Sequence, residues 1–247
     1  HHFIGKDIIN FHGLFWPAML HGSGQRTPTR LHVNGYLTVN GAKMSKSRGT
    51  FIQARTYLDH LNPEYLRYYF AGKTGAGVED LDLNLDDFAA RVNSDLVGKF
   101  VNIASRAAKF ITESFDGKLD TSDDTSMTIA NGQPTAYGEA LALLNEIEKL
   151  YRARHFSEIT RSVMQIADSV NRRWDEKKPW ALAKDPTAKH LLHGVASDTL
   201  RAFYTLAVYL APILPKTFEA ITALFKRHGT PKFAEVASAP TEINPFQ

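Results

Sequence analysis

The chain has 247 residues, 43% hydrophobic and 22% charged, with a formal net charge of +3. That is the composition of an ordinary globular protein, with no apolar run long enough to span a bilayer and no signal-peptide pattern at the start. Zero cysteines exclude disulfides and thiolate metal sites, which suits the cytoplasm, and the small net charge means that any nucleic-acid role must rest on local clusters.

In chain order, Ile8, Phe11, Leu14 and Phe15 recur at helical spacing between 7 and 20, Asp7 is placed as a cap, and Pro17 predicts a kink. Residues 22–30 (GSGQRTPTR) are a loop by composition. LHVNGYLTVNG (31–41) predicts two short strands about Asn34–Gly35 and a second Asn-Gly turn at 40–41. Helical periodicity returns at 54–60 and at 63–72, where Pro63 opens and Gly72 closes the segment, and the Gly- and Asp-rich stretch 73–84 reads as a connection. From about Asp86 come four long amphipathic stretches, 86–115, 135–153, 155–177 and 187–227, with a polar linker at 114–134 and a break expected in APILP. Residues 229–247 read as an extended, Pro-punctuated tail. The fold class is therefore mainly α: a small α/β piece at 1–85 joined to an α-helical bundle.

The most specific signal is KMSKS at 43–47, for which a chance match in a chain of this size is roughly one in ten thousand. It resembles the signature loop of class I aminoacyl-tRNA synthetases. HFIGKDIINFHGLFWPAML (2–20), NGYLTVNGAKMSKSRGTFI (34–52), EYLRYYF, LDLNLDDF, RVNSDLVGKFVNIASR and KKPW resemble the corresponding stretches of bacterial methionyl-tRNA synthetases, strongly through residue 110 and more loosely beyond. The resemblance implies the end of a Rossmann-type α/β catalytic domain at 1–32, a KMSKS and stem-contact segment at 33–85, an α-helical anticodon-binding bundle at 86–228 and the tail at 229–247. It also implies a cytoplasmic enzyme that uses ATP and Mg²⁺ to form methionyl-adenylate and passes the methionine to tRNA(Met), with no membrane partner.

The chemistry of the loop agrees with that. Activation attacks the α-phosphate of ATP and expels pyrophosphate, and mobile ammonium groups stabilise the charge that builds on the leaving group. The resemblance makes Lys43 and Lys46 catalytic, and assigns ATP binding to Gly5, Asp7, Lys43, Met44, Ser45 and Lys46. Ile8 and His12 share a helical face, which the resemblance assigns, with Trp16, to the methionine pocket. Taken alone, Asp7 reads as a cap, His12 as a core histidine and Trp16 as packing. Asn34 departs from the family, which has histidine just before GYLTVNG.

In the helical half, Asn102 and Arg106 stand four apart on one face, an amide beside a guanidinium, and Trp180 follows Pro179 near a helix end. Single-stranded RNA is read by such groups: bases stack on aromatic rings and their edges are hydrogen-bonded. The resemblance implies that Asn102, Arg106, Pro179 and Trp180 recognise the CAU anticodon. Lys99, Lys109, Arg172, Arg173, Lys177 and Lys178 would support the phosphate backbone, and Trp174 reads as core.

No HIGH-type motif occurs in these residues, and the family's zinc site, carried by cysteines, is not in this chain, so no metal ligand is assigned. A chain that starts at His1 inside the Rossmann half reads as a piece of a longer protein. The alternatives are a stand-alone RNA-binding module with a relic KMSKS loop, or another class I synthetase. ATP–pyrophosphate exchange by the purified 247-residue chain is expected to stay at background; exchange above background overturns that expectation.

Overall fold

A computed structural model describes residues 1–45, 49, 51–121, 134–227 and 239–244. β1 (His2–Gly5) pairs in parallel with β2 (Leu31–Asn34), in a register running from His2↔Leu31 to Gly5↔Asn34. Between them lies a helical run: a 3-10 turn at Lys6–Ile8, a wide π turn at Phe11–Phe15, and α1 (Trp16–Gly22). Gly5, not Asp7, caps this run, and Asp7 lies inside its first turn. The kink expected at Pro17 is replaced by the π turn, in which the Trp16 N–H donates to the Phe11 carbonyl five residues back. Proline has no N–H and its ring crowds the preceding turn, so a widened turn lets the helix pass through position 17. The apolar positions that predicted this helix point outward, Phe11, Leu14 and Phe15 being 60%, 64% and 58% exposed.

The hairpin expected about Asn34–Gly35 does not form. β3 (Leu37–Val39) belongs to a second sheet of order β4-β3-β5, antiparallel to β4 (Ala42–Lys43) and parallel to β5 (Leu81–Leu83). The chain crosses between the sheets at Gly35, where an added Cβ would lie 2.1 Å from the Glu79 carbonyl oxygen. The second turn does form: Asn40 and Gly41 have φ of 48° and 75°, the left-handed pair that a two-residue hairpin requires. β5 lies in the stretch read as a connection.

α2 (Ala54–His60) and α3 (Pro63–Ala71) follow β4, and the Asn62 side chain caps α3 by accepting the Glu64 N–H at 2.9 Å. α4 (Leu85–Arg91) continues through π turns at Val92–Val101 into α5 (Asn102–Phe115), one long helical run where a single stretch was expected. Next come α6 (Ala136–Ala142), α7 (Leu144–Ala153), α8 (Phe156–Lys177), α9 (Pro179–Leu182), α10 (Lys189–Leu210) and α11 (Pro215–Leu224). The break in APILP separates α10 from α11, as expected, and Trp174 is buried in the core.

α10 is the hub. Every residue from Thr199 to Leu210 is buried, and the helix packs on α5, α6, α8 and α11. A helix buried all round must satisfy its own polar groups. Thr205 donates to the Arg201 carbonyl at 3.0 Å, Arg201 to the Asp120 carbonyl at 2.5 Å, and the Tyr209 hydroxyl to the Ala140 carbonyl at 2.9 Å. Asp198 accepts the Ala136 and Tyr137 N–H groups at 2.9 Å each; burial pushes its carboxyl up, against the pull of those donors. Residues 239–244 return to the bundle, with Leu119 N–H on the Thr241 carbonyl at 2.8 Å and Ile243 N–H on the Gly117 carbonyl at 2.7 Å. Most of the tail read as extended lies outside the described residues.

Gly35→Ala is expected to destabilise the fold by about 1–3 kcal/mol, the usual range for overpacking. The urea midpoint should drop accordingly; an unchanged midpoint would show that the crossing has slack.

Candidate functional site

Gly5 and Asn34 are register partners at the carboxyl ends of β1 and β2, the place where an open α/β sheet receives ligands. A Cβ on Gly5 would come within 2.5 Å of an Asp7 carboxylate oxygen, so the bare backbone there lets the exposed Asp7 sit close over the strand end. The Lys6 ammonium donates to Asp80 Oδ1 at 2.6 Å and lies 4.5 Å over the Tyr36 ring. Lys43, at the end of β4, lies 5.6 Å from the same ring. Tyr36 therefore joins the two halves of the sequence-predicted nucleotide site, Gly5–Asp7 and Lys43. Met44 and Ser45 follow, half-buried, and Lys46 lies outside the described residues.

Two carboxylates hold the hairpin. Asp82 accepts the Thr38 hydroxyl at 2.7 Å and the Gly41 N–H at 2.8 Å, and Asp80 accepts the Tyr36 N–H at 2.7 Å. Both are held below the ordinary carboxylate range, Asp82 chiefly by the Thr38 hydroxyl and Asp80 chiefly by Lys6. Behind them the buried Tyr69 hydroxyl donates to Asp87 at 2.9 Å, and Lys73 pairs with Asp87 at 3.0 Å. Sequence reasoning missed Lys6, Tyr36, Asp80 and Asp82. The available signal was the two-residue alternation of Asp80-Leu81-Asp82-Leu83, which marks a strand with one polar edge.

The three residues assigned to a methionine pocket do not all meet. His12 Nδ1 is 3.2 Å from His2 Nδ1, and the rings stand edge to face. Trp16, 43% exposed, lines a cleft of about 590 Å³ with His2, Leu20 and Pro28. His2 links His12 to Trp16, whereas Ile8, half-buried, is not part of the cleft wall. His2 is a further residue that sequence reasoning missed.

In the bundle, Asn102 and Arg106 share a face, and that face meets α8. The Asn102 amide donates to Asn171 Oδ1 at 3.4 Å, and Arg106 pairs with Asp175. Asn171 in turn donates to the Lys99 and Ala167 carbonyls at 3.0 Å each, and Lys99 pairs with Asp168 at 2.7 Å. The result is a polar seam along the groove between α5 and α8. At its end Lys178 adopts a left-handed conformation (φ 48°, ψ 56°) that turns the chain into α9, where Pro179 is buried and Trp180 is 45% exposed. Two of the cations expected to support phosphate are tied into the fold: Lys99 as above, and Arg173, which pairs with Glu139 at 2.9 Å.

Among the described residues no three His, Asp or Glu side chains converge as a metal site, and no helix is long and apolar enough to cross a membrane.

Residues 1–108 match the family model of class I (M) tRNA synthetases. The chain is 56% identical over 220 residues to the methionine–tRNA ligases of two strains of Xanthomonas oryzae pv. oryzae, covering 88% of itself and 30% of each ligase. It thus spans less than a third of the length of these relatives. Its whole length superposes on 48% of the Mycobacterium tuberculosis methionyl-tRNA synthetase solved with methionyl-adenylate, with a TM-score of 0.85 at 23% identity. The apo form of that enzyme gives a TM-score of 0.82 at 20% identity, again over 48% of its chain. At these identities the structural likeness concerns the fold.

Because the folded pKa of Asp82 is depressed, its hold on the hairpin is present above the ordinary carboxylate value and is lost as pH falls through the lower, folded one. The Gly41 amide resonance should follow that titration with a midpoint below 3.8, and Asp82→Asn should abolish it. A midpoint at or above 3.8 would mean that the Thr38 and Gly41 bonds do not favour the ionised form.

Proposed function

We propose that this chain, a homologue of bacterial methionyl-tRNA synthetases over 220 residues, carries the KMSKS side of a methionine-activating site and the anticodon reader of a methionine–tRNA ligase. The observation that carries the reading is the 56% identity to methionine–tRNA ligases. Support comes from the position of Lys43, at the end of a braced hairpin and beside the same Tyr36 ring as Lys6.

In the proposed first step a methionine carboxylate oxygen attacks the α-phosphorus of ATP, the bond to the β-phosphate oxygen breaks, and pyrophosphate leaves. Lys43 and Lys46 neutralise the charge that grows on the departing group, an interaction stronger in the transition state than in the ground state. Gly5 admits the nucleotide to the strand ends, Asp7 accepts hydrogen bonds from ribose or the substrate ammonium, and Met44 and Ser45 complete the ATP contacts. Ile8, His12 and Trp16 form the methionine side, with an imidazole and an indole suited to a polarizable thioether. Mg²⁺ would accompany the substrate ATP. In the second step the methionyl group passes to tRNA(Met), and the setting is cytoplasmic.

The anticodon is read at the α5–α8 seam and the α9 corner. Asn102 and Arg106 present an amide and a guanidinium, the latter with five N–H donors, beyond what its bond to Asp175 uses. Trp180, set by Pro179, offers its half-exposed ring as a stacking platform.

Trp180→Ala should weaken binding of a CAU anticodon stem-loop by about 1–3 kcal/mol. Filter binding that shows no loss would place the platform elsewhere, and binding indifferent to exchange of the anticodon would remove the methionyl assignment.

A further inference from the structure

α3 is seated in the break between α10 and α11 and bonds to both of its sides. Glu64, 2% exposed, accepts the Lys216 N–H at 2.6 Å, the Thr217 N–H at 2.9 Å and the Thr217 hydroxyl at 2.5 Å, so its charge lies on the positive end of α11. One turn along, Arg67 donates to the Ile213 carbonyl at 2.8 Å and the Pro212 carbonyl at 3.0 Å, just past the negative end of α10. An anion and a cation three positions apart on one helix thus match the two poles of a single interhelix corner. Capping α11 alone would need no group from 152 residues earlier in the chain.

The same helix is joined to the sheet that carries Lys43. The Tyr69 hydroxyl, on a fully buried ring, accepts the Asn84 N–H at 3.2 Å and donates to Asp87 at 2.9 Å, and Lys73 donates to the Asp82 carbonyl at 3.1 Å within β5. β5 pairs with β3, and β3 with β4, which ends at Lys43. On the other side, α10 packs on α5 and α8, which carry Asn102, Arg106, Asn171 and Asp175.

We infer that Glu64 and Arg67 are positioning residues that fix the Lys43-bearing sheet against the anticodon bundle, so that one tRNA meets both at a set distance and angle. This rests on the functional reading above. Two sites held rigidly apart act on one ligand as a bivalent receptor, and loosening the joint lowers the effective concentration of the second contact while sparing each site alone.

The chain has no cysteine, so spin labels can be placed at introduced Ala42→Cys and Ser105→Cys, both exposed, on the hairpin and on α5. Dipolar spectroscopy should give one narrow distance distribution in the parent and a broadened one in Glu64→Gln and in Arg67→Met, two variants that weaken the joint on its α11 and α10 sides. Affinity for intact tRNA(Met) should fall about tenfold in both, while affinity for the isolated CAU stem-loop stays at the parent value. An unchanged distribution in both variants overturns the inference, and so does an equal loss of stem-loop affinity, the signature of a loosened bundle. A parent chain that does not distinguish CAU defeats the functional reading instead, and the label distances still decide the joint.

Discussion

The structure depends on the burial of α10 on all sides. From Thr199 to Leu210 no residue is exposed, and fully burying a large aliphatic or aromatic side chain stabilises by about 1.5–3 kcal/mol. A helix in that position has no solvent face to satisfy polar groups, so Arg201, Thr205 and Tyr209 must each find carbonyls within the protein. Those bonds fix what can pack around it. α6 is set by Asp198 and Tyr209, the chain after α5 by Arg201 and Ser197, and α5 and α8 close the remaining sides.

Around this hub the chain places its two candidate sites on different kinds of support. The proposed nucleotide side is a pair of small sheets whose strands are too short to be stable alone. Charged hydrogen bonds to Asp80 and Asp82, and the aromatic and cationic contacts of Tyr36, Tyr69 and Lys73, supply the order that strand length does not. The proposed RNA side is a seam between two long helices, where side chains of opposite charge already face each other. Under the proposed function, RNA at that seam would exchange partners with the protein, because Arg106 begins bonded to Asp175.

Much of this was legible in the residues. The helices showed in their periodicity, the break before α11 in APILP, and the hairpin at Asn40–Gly41 in its dipeptide. The same dipeptide at Asn34–Gly35 misled, because β2 pairs with β1 across a helical crossover and a local turn signal carries no information about that. β5 was hidden by Asp82 within it and Asp80 just before it, a residue type that strands generally disfavour; here each accepts from β3 or its entry, Asp80 from the Tyr36 N–H and Asp82 from the Thr38 hydroxyl. The i,i+4 spacing put Asn102 and Arg106 on one face, but what that face meets lies 69 residues on and is a matter of packing. The π turns at Phe11–Phe15 and Val92–Val101 were also out of reach, since one widened turn barely alters an apolar period. Lys6, Tyr36 and His2 take their roles from contacts across the fold, and spacing cannot supply those.

Two adjacent residues of α10 have a consequence for how this sequence can change. Ser197 receives the Asp120 N–H at 2.8 Å, and Asp198 receives the Ala136 and Tyr137 N–H groups at 2.9 Å. The chain is therefore gripped at Asp120 and again at Ala136 and Tyr137 by the same turn of the same helix. Lengthening such a closed span costs only about 0.6 kcal/mol per doubling. A module or tag inserted between the two grips would meet chain that Ser197 and Asp198 hold on both sides, with the hub and both candidate surfaces left as they are.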